Sequence, residues 1–507
     1  MSLESMAHTV TENVQATKLA LAQEKKFIKS LRRSDVVLFI VAAVIALDTI
    51  GTIASGGLEA LFWGIVLVAT FMIPFAMIFA ETGGAFPQEG GPYQWVKFAY
   101  GRLAAGIVSV LYWITNPIWL GGSLAFIAFE AFSTYVFEIP QGSIGDWAFK
   151  IIFVWVAILL AVVSLKTGKI FVNIGAWAKL IVLALLVLTT VAYGIKNGFQ
   201  PLSVGELAPS VQGFLAVAPI LLFAFVGFEA PNAASEEMMD PAGDTAPSIR
   251  RGSLISMVAY LLPVLAILLV IPADQVSGVD SFMGAVATVF SIYGTAGATL
   301  LKVTAVLLVY ALVNQGSSWM IATDRIQAMA AADGTFFSGY FGEFNEKLGT
   351  PLRVNILSGV MSTVFIAATM TLVNGDAAAV FGVVLTCAIT TLLVSYIVIV
   401  PALMKLKRIY QDVPRSYTVP GGSVGFHLLG LLVTAYIVIG SVASLFPGVL
   451  EGYFGIEYSF EDIWGVTQIG FEIFTLGTLG VVIVIGILGY AFAGQVRAGE
   501  VTDSSND

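Results

Sequence analysis

Long runs of apolar residues alternate with short polar connections over almost the whole chain. Twelve of these runs are long enough to cross about 30 Å of hydrocarbon as an α-helix, which takes roughly 20 residues. Strands of a membrane barrel would alternate in polarity and would be about half as long. The pattern therefore predicts an all-α membrane protein with twelve transmembrane helices, here called segments 1 to 12. Their approximate bounds are 34–56, 58–80, 103–137, 149–166, 169–195, 211–235, 250–271, 296–323, 353–373, 377–404, 423–446 and 467–493.

The composition supports a protein surrounded by lipid. Of the 507 residues, 58% are hydrophobic and 11% are charged, and the mean hydropathy is +0.90. A soluble domain carries about 25% charged residues, so this chain lacks the polar residues for a water-exposed outer surface. The lipid bilayer is its predicted partner, and no sequence motif indicates nucleic acid, a metal or an organic cofactor.

Lysine and arginine lie mainly on one side of the predicted bundle. If the N-terminus is cytoplasmic, the tails and connections on that side carry 20 basic residues and the opposite connections carry 2, Lys150 and Lys196. Basic residues accumulate in cytoplasmic connections. We therefore expect a multi-pass protein of the plasma membrane, or of the inner membrane of a Gram-negative cell, with both termini cytoplasmic. Residues 1–33 and 495–507 are the predicted tails, and residues 1–33 lack the pattern of a signal peptide.

Few residues offer catalytic, redox or disulfide chemistry. The one cysteine, Cys387, lies in an apolar run, so no disulfide-linked accessory subunit is expected. The two histidines, His8 and His427, do not form a His-Glu-x-x-His zinc pair. No repeated carbonyl or charged motif suggests the filter of a channel. The sequence therefore favours neither an enzyme nor a channel, and it gives no oligomeric state.

Segments 1 and 6 each contain backbone that helices avoid, close to mid-membrane depth. Residues 48–57 combine an aspartate with glycines and small polar residues, and residues 226–235 contain glycine, glutamate and proline. Irregular backbone at this depth survives only where it is buried in protein or lines a wet cavity. Interrupted helices in corresponding halves indicate a transporter site, whose freed N–H and C=O groups can hold a carboxylate and an ammonium. Alternatively, the glycines only allow close helix packing.

Several motifs resemble those of the amino acid–polyamine–organocation superfamily of permeases, over about residues 34–494. They are Ala80-Glu81, the run from Phe86 to Tyr93, Phe225-Val226-Gly227-Phe228-Glu229-Ala230, Glu236-Glu237, Asp240-Pro241, Ala332-Asp333-Gly334 and Val419-Pro420-Gly421-Gly422. The chain is similar to the glutamate/GABA and arginine/agmatine antiporters of that superfamily. The resemblance implies transport by alternating access and a leucine-transporter-like fold. That fold has two inverted five-helix repeats, about 34–195 and 211–404, and two extra helices within about 423–493.

The resemblance also implies roles for residues in both interrupted segments. Phe223 or Phe225 would be an aromatic lid over the substrate, close to Gly227, and Glu229 would be a carboxylate linked to proton movement. Residues 51–57 differ from the Gly-Ser-Gly motif that is common in segment 1 of the superfamily, which leaves the register of the substrate-binding amides open by a few residues. The candidate substrate-binding residues of segment 1 are Asp48, Gly51, Thr52, Ala54 and Ser55.

Two ionisable residues lie at depths where a charge is costly. Asp48 is interpreted as a counter-ion for a substrate amine, as a proton carrier, or as a cap of the restarted helix. Lys179, with Asn173, resembles a segment 5 pattern in which the ammonium takes the place of a sodium ion, which predicts sodium-independent and proton-linked transport. The alternative is a structural pair of Lys179 with Asp48 or with backbone. Lys302 lies near the end of segment 8 and is expected to reach water.

Asn116 of segment 3 and Trp319 of segment 8 are further candidates for the pocket wall, although aromatic residues in membrane helices more often serve packing. The sequence as a whole predicts a secondary transporter, an amino acid permease or exchanger, for an amino acid or a related amine. The alternative is an amine or polyamine transporter, or an amino acid/amine antiporter. A transport-dead sensor of the same fold is a third interpretation.

Overall fold

A computed structural model describes residues 16–163, 165–272, 275–276, 280–372 and 377–498. Within these ranges the chain is helical, apart from the connections and one isolated β-bridge between Leu31 and Met238. Long helices follow the predicted apolar segments, because a backbone in hydrocarbon has to satisfy its own N–H and C=O groups. The predicted all-α architecture is confirmed.

Ten of the described helices are long and apolar enough to cross a membrane. They are Gly57–Ala85, Arg102–Tyr135, Ile144–Val162, Gly168–Asn197, Pro241–Leu268, Thr295–Ala332, Leu352–Thr371, Phe381–Ile409, Gly422–Leu445 and Gln468–Phe492. In segment 1 the helices Arg33–Val44 and Leu47–Ala54 meet the same criteria together and bend by 48°. Segment 6 contributes the shorter apolar helix Val211–Ala224. The exact count of twelve spans and the inverted repeats stay predictions.

One end of the helix bundle, here called the tail face, gathers the N-terminal segment and several connections. Residues 17–31, 81–89, 237–242, 332–344 and 407–419 contact one another there through hydrogen bonds and ion pairs. The N-terminal segment includes the short helix Lys18–Glu24. The described part of the tail face is therefore closed by polar contacts between connections that are distant in sequence.

The opposite end, here called the vestibule face, contains a cavity of about 670 Å³. Residues of segments 1, 3, 4, 6, 9, 10 and 11 line it, together with residues that follow segment 11. Several of these residues are exposed, Gln141 and Gln212 among them, so the cavity opens at this face. The short helices Val449–Tyr453 and Phe460–Trp464 lie beside its rim.

Both predicted helix interruptions are present. In segment 1 the break falls at Ile45 and Ala46, whose backbone is extended, and therefore before Asp48 rather than after it. Gly51 lies inside the second helix, so this glycine does not mark the position of the break. Segment 6 leaves the α-helix at Ala224 and continues through irregular residues into the 3-10 helix Ala230–Glu237.

Other glycines in the bundle do serve close packing. A Cβ on Gly121 of segment 3 would lie 2.1 Å from the carbonyl oxygen of Ser362 in segment 9. A Cβ on Gly175 of segment 5 would lie 1.9 Å from the side-chain carbon of Asn314 in segment 8. At the crossing of Gly121 the neighbour is backbone, so only glycine permits the observed distance between helices there.

Candidate substrate and proton site

The side chain of Lys179 occupies the break in segment 1. Its ammonium donates hydrogen bonds to the carbonyl oxygens of Ala42 and Ile45, both at 2.6 Å, and to Oε1 of Gln315 at 2.8 Å. The lysine is fully buried. A helix end leaves its last carbonyls without backbone partners, and the Lys179 ammonium satisfies two of them. The structural alternative of a lysine–backbone pair is therefore present.

The remaining carbonyls of the break are also taken by side chains. The indole N–H of Trp319 donates to the carbonyl oxygen of Ala43 at 2.8 Å. The hydroxyl of Tyr260 donates to the carbonyl oxygen of Val44 at 2.7 Å and accepts from the N–H of Ala46 at 2.8 Å. Side chains therefore occupy these carbonyls in the described conformation, and the binding of a substrate ammonium by freed carbonyls of segment 1 stays a prediction.

Asp48 is a buried acceptor for side chains of segments 3 and 8. Its Oδ2 accepts from the indole N–H of Trp119 at 2.8 Å, and its Oδ1 accepts from Nε2 of Gln315 at 2.8 Å. The amide of Gln315 thus lies between Asp48 and Lys179. Among the ion pairs of the described residues, Asp48 and Lys179 are not paired directly. The two charges that the sequence singles out are linked through a neutral side chain.

The other candidates of segment 1 lie further along the second helix. Gly51, Thr52 and Ala54 belong to the helix Leu47–Ala54, and Ser55 follows it and donates to the carbonyl oxygen of Thr52 at 2.7 Å. In an α-helix the N–H groups without intrahelical partners are those of the first turn. The free amides therefore precede Gly51. Substrate binding by the amides after residue 50 stays a prediction. The observed register of the helix does not favour it.

The irregular stretch of segment 6 approaches segment 8 closely at Gly227. This glycine has a φ of +97°, a backbone conformation that residues with a Cβ rarely adopt. A Cβ there would lie 2.7 Å from the indole ring of Trp319. Since Trp319 binds the break of segment 1, Gly227 brings the two interruptions into contact through that indole.

Glu229 is fully buried beside two tyrosines. Its Oε1 accepts from the hydroxyl of Tyr112 at 2.7 Å and from the hydroxyl of Tyr396. Its Oε2 has no hydrogen-bond partner among the described residues. Burial of an unpaired carboxylate oxygen is costly, so this atom is suited to binding a proton or a polar group of a substrate.

The remaining predicted residues divide between the site and its surroundings. Phe223 packs edge-on against Trp119 at 5.2 Å between ring centroids, next to Asp48. Phe225 packs against Tyr260 at 5.6 Å, behind the break of segment 1. The side chain of Asn116 donates to the carbonyl oxygen of Gly316 at 3.2 Å, and its Oδ1 is unpaired. Phe223 is therefore the better placed of the two candidate lids.

Sequence reasoning missed four side chains of this site. Gln315 had a signal, because it is a polar amide inside an apolar run, whereas Tyr260, Tyr396 and Trp119 look like ordinary packing residues in the sequence. Of the described residues, no group of three or more His, Cys, Asp or Glu side chains could hold a metal ion.

The sequence of residues 31–459 matches the family of amino acid permeases. The chain belongs to this family. The permease is 29% identical to an uncharacterized transporter of Legionella pneumophila, over 83% of this chain and 89% of the relative. It is 24% identical to a probable agmatine/putrescine antiporter of Lactococcus lactis, over 81% of this chain and 87% of the relative. It is 23% identical to a branched-chain amino acid permease of Bacillus subtilis, over 81% and 88% of the two chains.

The family and these relatives are transporters, and none of them is an enzyme. The permease is therefore a multi-pass membrane transporter for a small molecule, and the resemblance to the amino acid–polyamine–organocation superfamily is confirmed.

Proposed function

We propose that this permease is a secondary transporter that moves an amino acid or a related amine by alternating access, with proton linkage and without sodium. The observation that carries the proposal is the buried polar assembly at the breaks of segments 1 and 6. There the Lys179 ammonium binds two carbonyls of segment 1, and the Glu229 carboxylate keeps one oxygen unpaired. Buried ionisable groups of this kind are expensive in a membrane and serve transport pathways or proton relays.

The position of Lys179 supports the proposed sodium independence. Carbonyl oxygens at a helix break can coordinate a sodium ion in related folds, but here an ammonium fills the space between Ala42 and Ile45. We expect uptake into proteoliposomes to be unchanged when external sodium is replaced by choline at constant pH and ionic strength. A steep dependence on sodium would contradict this part of the proposal.

Proton linkage is assigned to Glu229. Replacing it in Glu229→Gln keeps an acceptor for the Tyr112 and Tyr396 hydroxyls but removes the titratable group. The initial rate of uptake should then lose most of its dependence on pH, because a glutamine side chain cannot exchange a proton. The matched control is Glu346→Gln, an exposed residue of the tail face, which should keep the wild-type profile. An unchanged profile in Glu229→Gln would remove this residue from the mechanism.

Accumulation of substrate in sealed vesicles distinguishes a transporter from a transport-dead sensor. Wild-type protein in sealed vesicles with an inward proton gradient should raise the internal concentration of a radiolabelled substrate above the external one. Collapse of the gradient with a protonophore should abolish accumulation. Binding without accumulation would favour the transport-dead sensor.

The second candidate is an amine transporter or an amino acid/amine antiporter. The buried carboxylate of Asp48, close to the cavity floor, favours it, because it could face the cationic group of an amine. The similarity to a probable agmatine/putrescine antiporter agrees with this candidate. Thermal stabilisation by matched pairs of an amino acid and its decarboxylated amine decides between the two. Stabilisation by amino acids alone indicates a permease, and equal or better stabilisation by amines indicates the second candidate.

A further inference from the structure

Neutral side chains bind a buried carboxylate that the proposed site does not include. Asp324 lies in the long helix Thr295–Ala332, just beyond the predicted end of segment 8, and it is fully buried. Its Oδ1 accepts from the hydroxyl of Ser358 at 2.6 Å and from the indole N–H of Trp113 at 3.1 Å. Its Oδ2 accepts from Nδ2 of Asn355 at 2.6 Å. Asp324 therefore joins this helix to segments 3 and 9.

The ionisable side chains of the neighbouring elements are bound to other groups. On the helices that pack against Thr295–Ala332 they include Tyr93, Lys97, Arg102, Tyr112, Lys179 and Arg353. The first three contact Asp333, Tyr112 contacts Glu229, and Arg353 contacts Glu343. The ammonium of Lys179 binds the break of segment 1, as described above.

In the described part of the chain, no ion pair balances the charge of Asp324. Even Arg325, the next residue, is directed to Glu89 at 2.8 Å and to Glu237 at 2.6 Å. Burying a charge without a counter-ion is expensive, and such a group commonly becomes neutral instead. A proton is the simplest ligand that would neutralise this carboxylate.

The amide of Asn355 suits both protonation states of Asp324. Its Nδ2 donates to Oδ2 of Asp324, which fits the ionised form. Its Oδ1 has no hydrogen-bond partner among the described residues, although the residue is only 1% exposed. A half-turn of the amide would present Oδ1 to Asp324, and a protonated Oδ2 would then donate to it. The unpaired amide oxygen is therefore the acceptor that a proton on Asp324 requires.

Asn355 and Ser358 begin a polar face of segment 9 that continues with Ser362 and Thr369. Spacings of three, four and seven residues place the four side chains on one side of the helix Leu352–Leu372. Each of these residues is at most 1% exposed. At 1.5 Å per residue the face is roughly 21 Å long. Because Thr369 belongs to the wall of the vestibule cavity, the face extends from Asp324 to the vestibule.

Two hydroxyls of this face have no hydrogen-bond partner in the described structure, those of Ser362 and Thr369. Elsewhere on the same helix, Thr363 and Thr371 donate to the carbonyl oxygens four residues earlier, at 2.8 and 2.7 Å. Serine and threonine in helices can satisfy their hydroxyls in this way. The buried hydroxyls of Ser362 and Thr369 do not, and they are suited to hydrogen bonds with internal water.

Segment 3 meets the polar face at the π-helix Leu120–Leu124. A Cβ on Gly122 would lie 3.2 Å from Oγ1 of Thr369, so that hydroxyl is directed toward segment 3. The hydroxyl of Ser123 in the same turn is fully buried and is also unpaired among the described residues. Single π-helical turns are frequent at functional sites. This turn therefore adds a third unpaired hydroxyl where segments 3 and 9 meet.

On the other side of Asp324, an unpaired amide lies closer to the tail face. Gln327 follows Asp324 by three residues, which places it on the same side of the helix. It is fully buried, and neither its Nε2 nor its Oε1 has a partner in the described structure. Ala332, five residues further, already belongs to the tail face. Unpaired polar groups therefore lie on both sides of Asp324 along the bundle.

Segment 3 connects Asp324 to the proposed proton site. Trp113 donates to Asp324, and its neighbour Tyr112 donates to Oε1 of Glu229 at 2.7 Å. A change of charge at Asp324 would therefore act on segment 3 directly beside the residue that binds Glu229.

We propose that Asp324 is a second proton-binding carboxyl of the permease, reached along the polar face of segment 9. A proton from the vestibule adds to Oδ2 and neutralises the carboxylate. Its release toward the tail face restores the carboxylate, so the protein is unchanged after the proton has crossed. The inference deepens the proposed proton linkage and rests on it.

The test is infrared difference spectroscopy of the full purified chain between high and low pH, which detects the C=O stretch of a protonated carboxyl. We expect a band that grows as pH falls and that shifts when the protein carries isotope-labelled aspartate. Asp324→Asn should lose this band. Ser358→Ala removes one hydrogen bond to Oδ1 and should shift the band, which assigns it even if Asp324→Asn does not fold. The matched control Asp462→Asn makes the same change at an exposed site and should keep the band.

A second measurement tests the route along segment 9. After a rapid drop in pH, the band should appear several-fold more slowly in Ser362→Ala than in wild type, because a hydroxyl of the polar face is lost. The control is Thr363→Val, which removes a hydroxyl that is bound within its own helix and should keep the wild-type rate.

The outcomes distinguish this inference from the proposed function. Absence of an aspartate band at every pH at which the protein stays folded would make Asp324 an ionised structural anchor and would overturn the proposal. A band that Asp324→Asn and Ser358→Ala leave unchanged would belong to another aspartate, such as Asp48, and would overturn it as well. Equal rates in Ser362→Ala and Thr363→Val would overturn the route. A titrating Asp324 in a protein that accumulates substrate without a proton gradient would support the second site and would contradict the proposed proton linkage alone.

Discussion

At the scale of single residues, Gly227 determines how closely segment 6 approaches the indole of Trp319. Gly227→Ala places a Cβ where φ is +97° and where the ring lies 2.7 Å away. We expect the free energy of unfolding to fall by about 1–3 kcal/mol, because backbone strain of this kind costs that much. Transport should fall as well, since the displaced indole can no longer bind the carbonyl of Ala43.

Gly477→Ala is the control for this substitution. Gly477 lies in a helix of segment 12, and a Cβ there meets nothing within 4 Å. Alanine favours a helix over glycine, so the control should be neutral or slightly stabilising in thermal unfolding. Equal thermal stability of the two variants would show that the contact with Trp319 is not a constraint.

The residues of the site differ in how far the sequence indicates them. Asp48, Lys179 and Glu229 stand out because a charge in an apolar run is costly, and the structure buries all three at the helix breaks. The neutral amide of Gln315 and the hydroxyl of Tyr260 cost far less to bury than a charge does, once each has a hydrogen-bond partner. Their roles depend on which helices meet, and that information is absent from any single segment.

At the scale of elements, the break in segment 1 depends on the hydroxyl of Tyr260 in segment 7. That hydroxyl donates to Val44 and accepts from Ala46, so it replaces the backbone bond that the helix loses there. Tyr260→Phe leaves both backbone groups unpaired, at about 1–3 kcal/mol for each buried group. We expect a clear drop in the thermal unfolding temperature of the detergent-purified protein.

Tyr310→Phe provides the comparison in segment 8. The hydroxyl of Tyr310 makes a single bond of 3.3 Å to the carbonyl oxygen of Phe171 at an exposed position. Its removal should change stability by less than about 0.5 kcal/mol. A Tyr260→Phe protein that unfolds at the same temperature as Tyr310→Phe would mean that the break is satisfied in another way.

Glu236, directly after segment 6, makes the stability of the tail face depend on pH. Burial raises the pKa of Glu236 from its ordinary value of 4.5 to about 8, and the nearby Glu24 raises it further, while Lys29 and the N–H of Glu89 act in the opposite direction. The folded protein therefore binds a proton that the unfolded chain releases between these pH values. The stabilisation that comes from protonation of Glu236 is complete below pH 4.5 and is lost as pH rises through about 8.

From this shift we expect the free energy of unfolding to be about 2 kcal/mol lower at pH 8 than at pH 6 on account of Glu236, at 1.36 kcal/mol per pKa unit. Glu236→Gln should remove that part of the pH dependence in thermal unfolding. Burial also raises the pKa of Glu89, Glu237 and Glu24, so a dependence of the same sign should remain. Glu346→Gln, at an exposed site, should unfold with the wild-type dependence on pH.

The sequence predicts elements better than their internal register. Apolar length and polar connections give the helices, because hydrocarbon leaves the backbone no other arrangement. The break of segment 1 came earlier than expected, at Ile45 and Ala46, which are apolar and carry no turn signal. Side chains from segments 5, 7 and 8 stabilise the break, so its position is set by tertiary contacts.

At the scale of the whole molecule, the two faces differ in how they are closed. On the tail face the buried Arg325 pairs with Glu89 at 2.8 Å and with Glu237 at 2.6 Å. Asp333 pairs there with Lys97 at 2.6 Å and with Arg102 at 3.2 Å.

A third group on the tail face joins Glu81 to Lys407 and Arg415. Among the described residues, the wall of the vestibule cavity has a single ion pair, between Asp146 and Lys150. The described conformation is therefore open toward the vestibule, and access from the tail face requires the separation of these buried pairs.

The amide of Gln315 has a consequence for the order of events during transport. An amide is a dipole that cannot ionise, and here its positive end meets Asp48 while its negative end meets Lys179. The orientation of the Gln315 amide therefore depends on the charges of both neighbours. If a cation or a proton neutralised Asp48, the attraction that orients the amide of Gln315 would disappear. The hydrogen bond between that amide and Lys179 would then weaken. A single non-titrating side chain would thus convert a change of charge in segment 1 into a change of contact in segment 5.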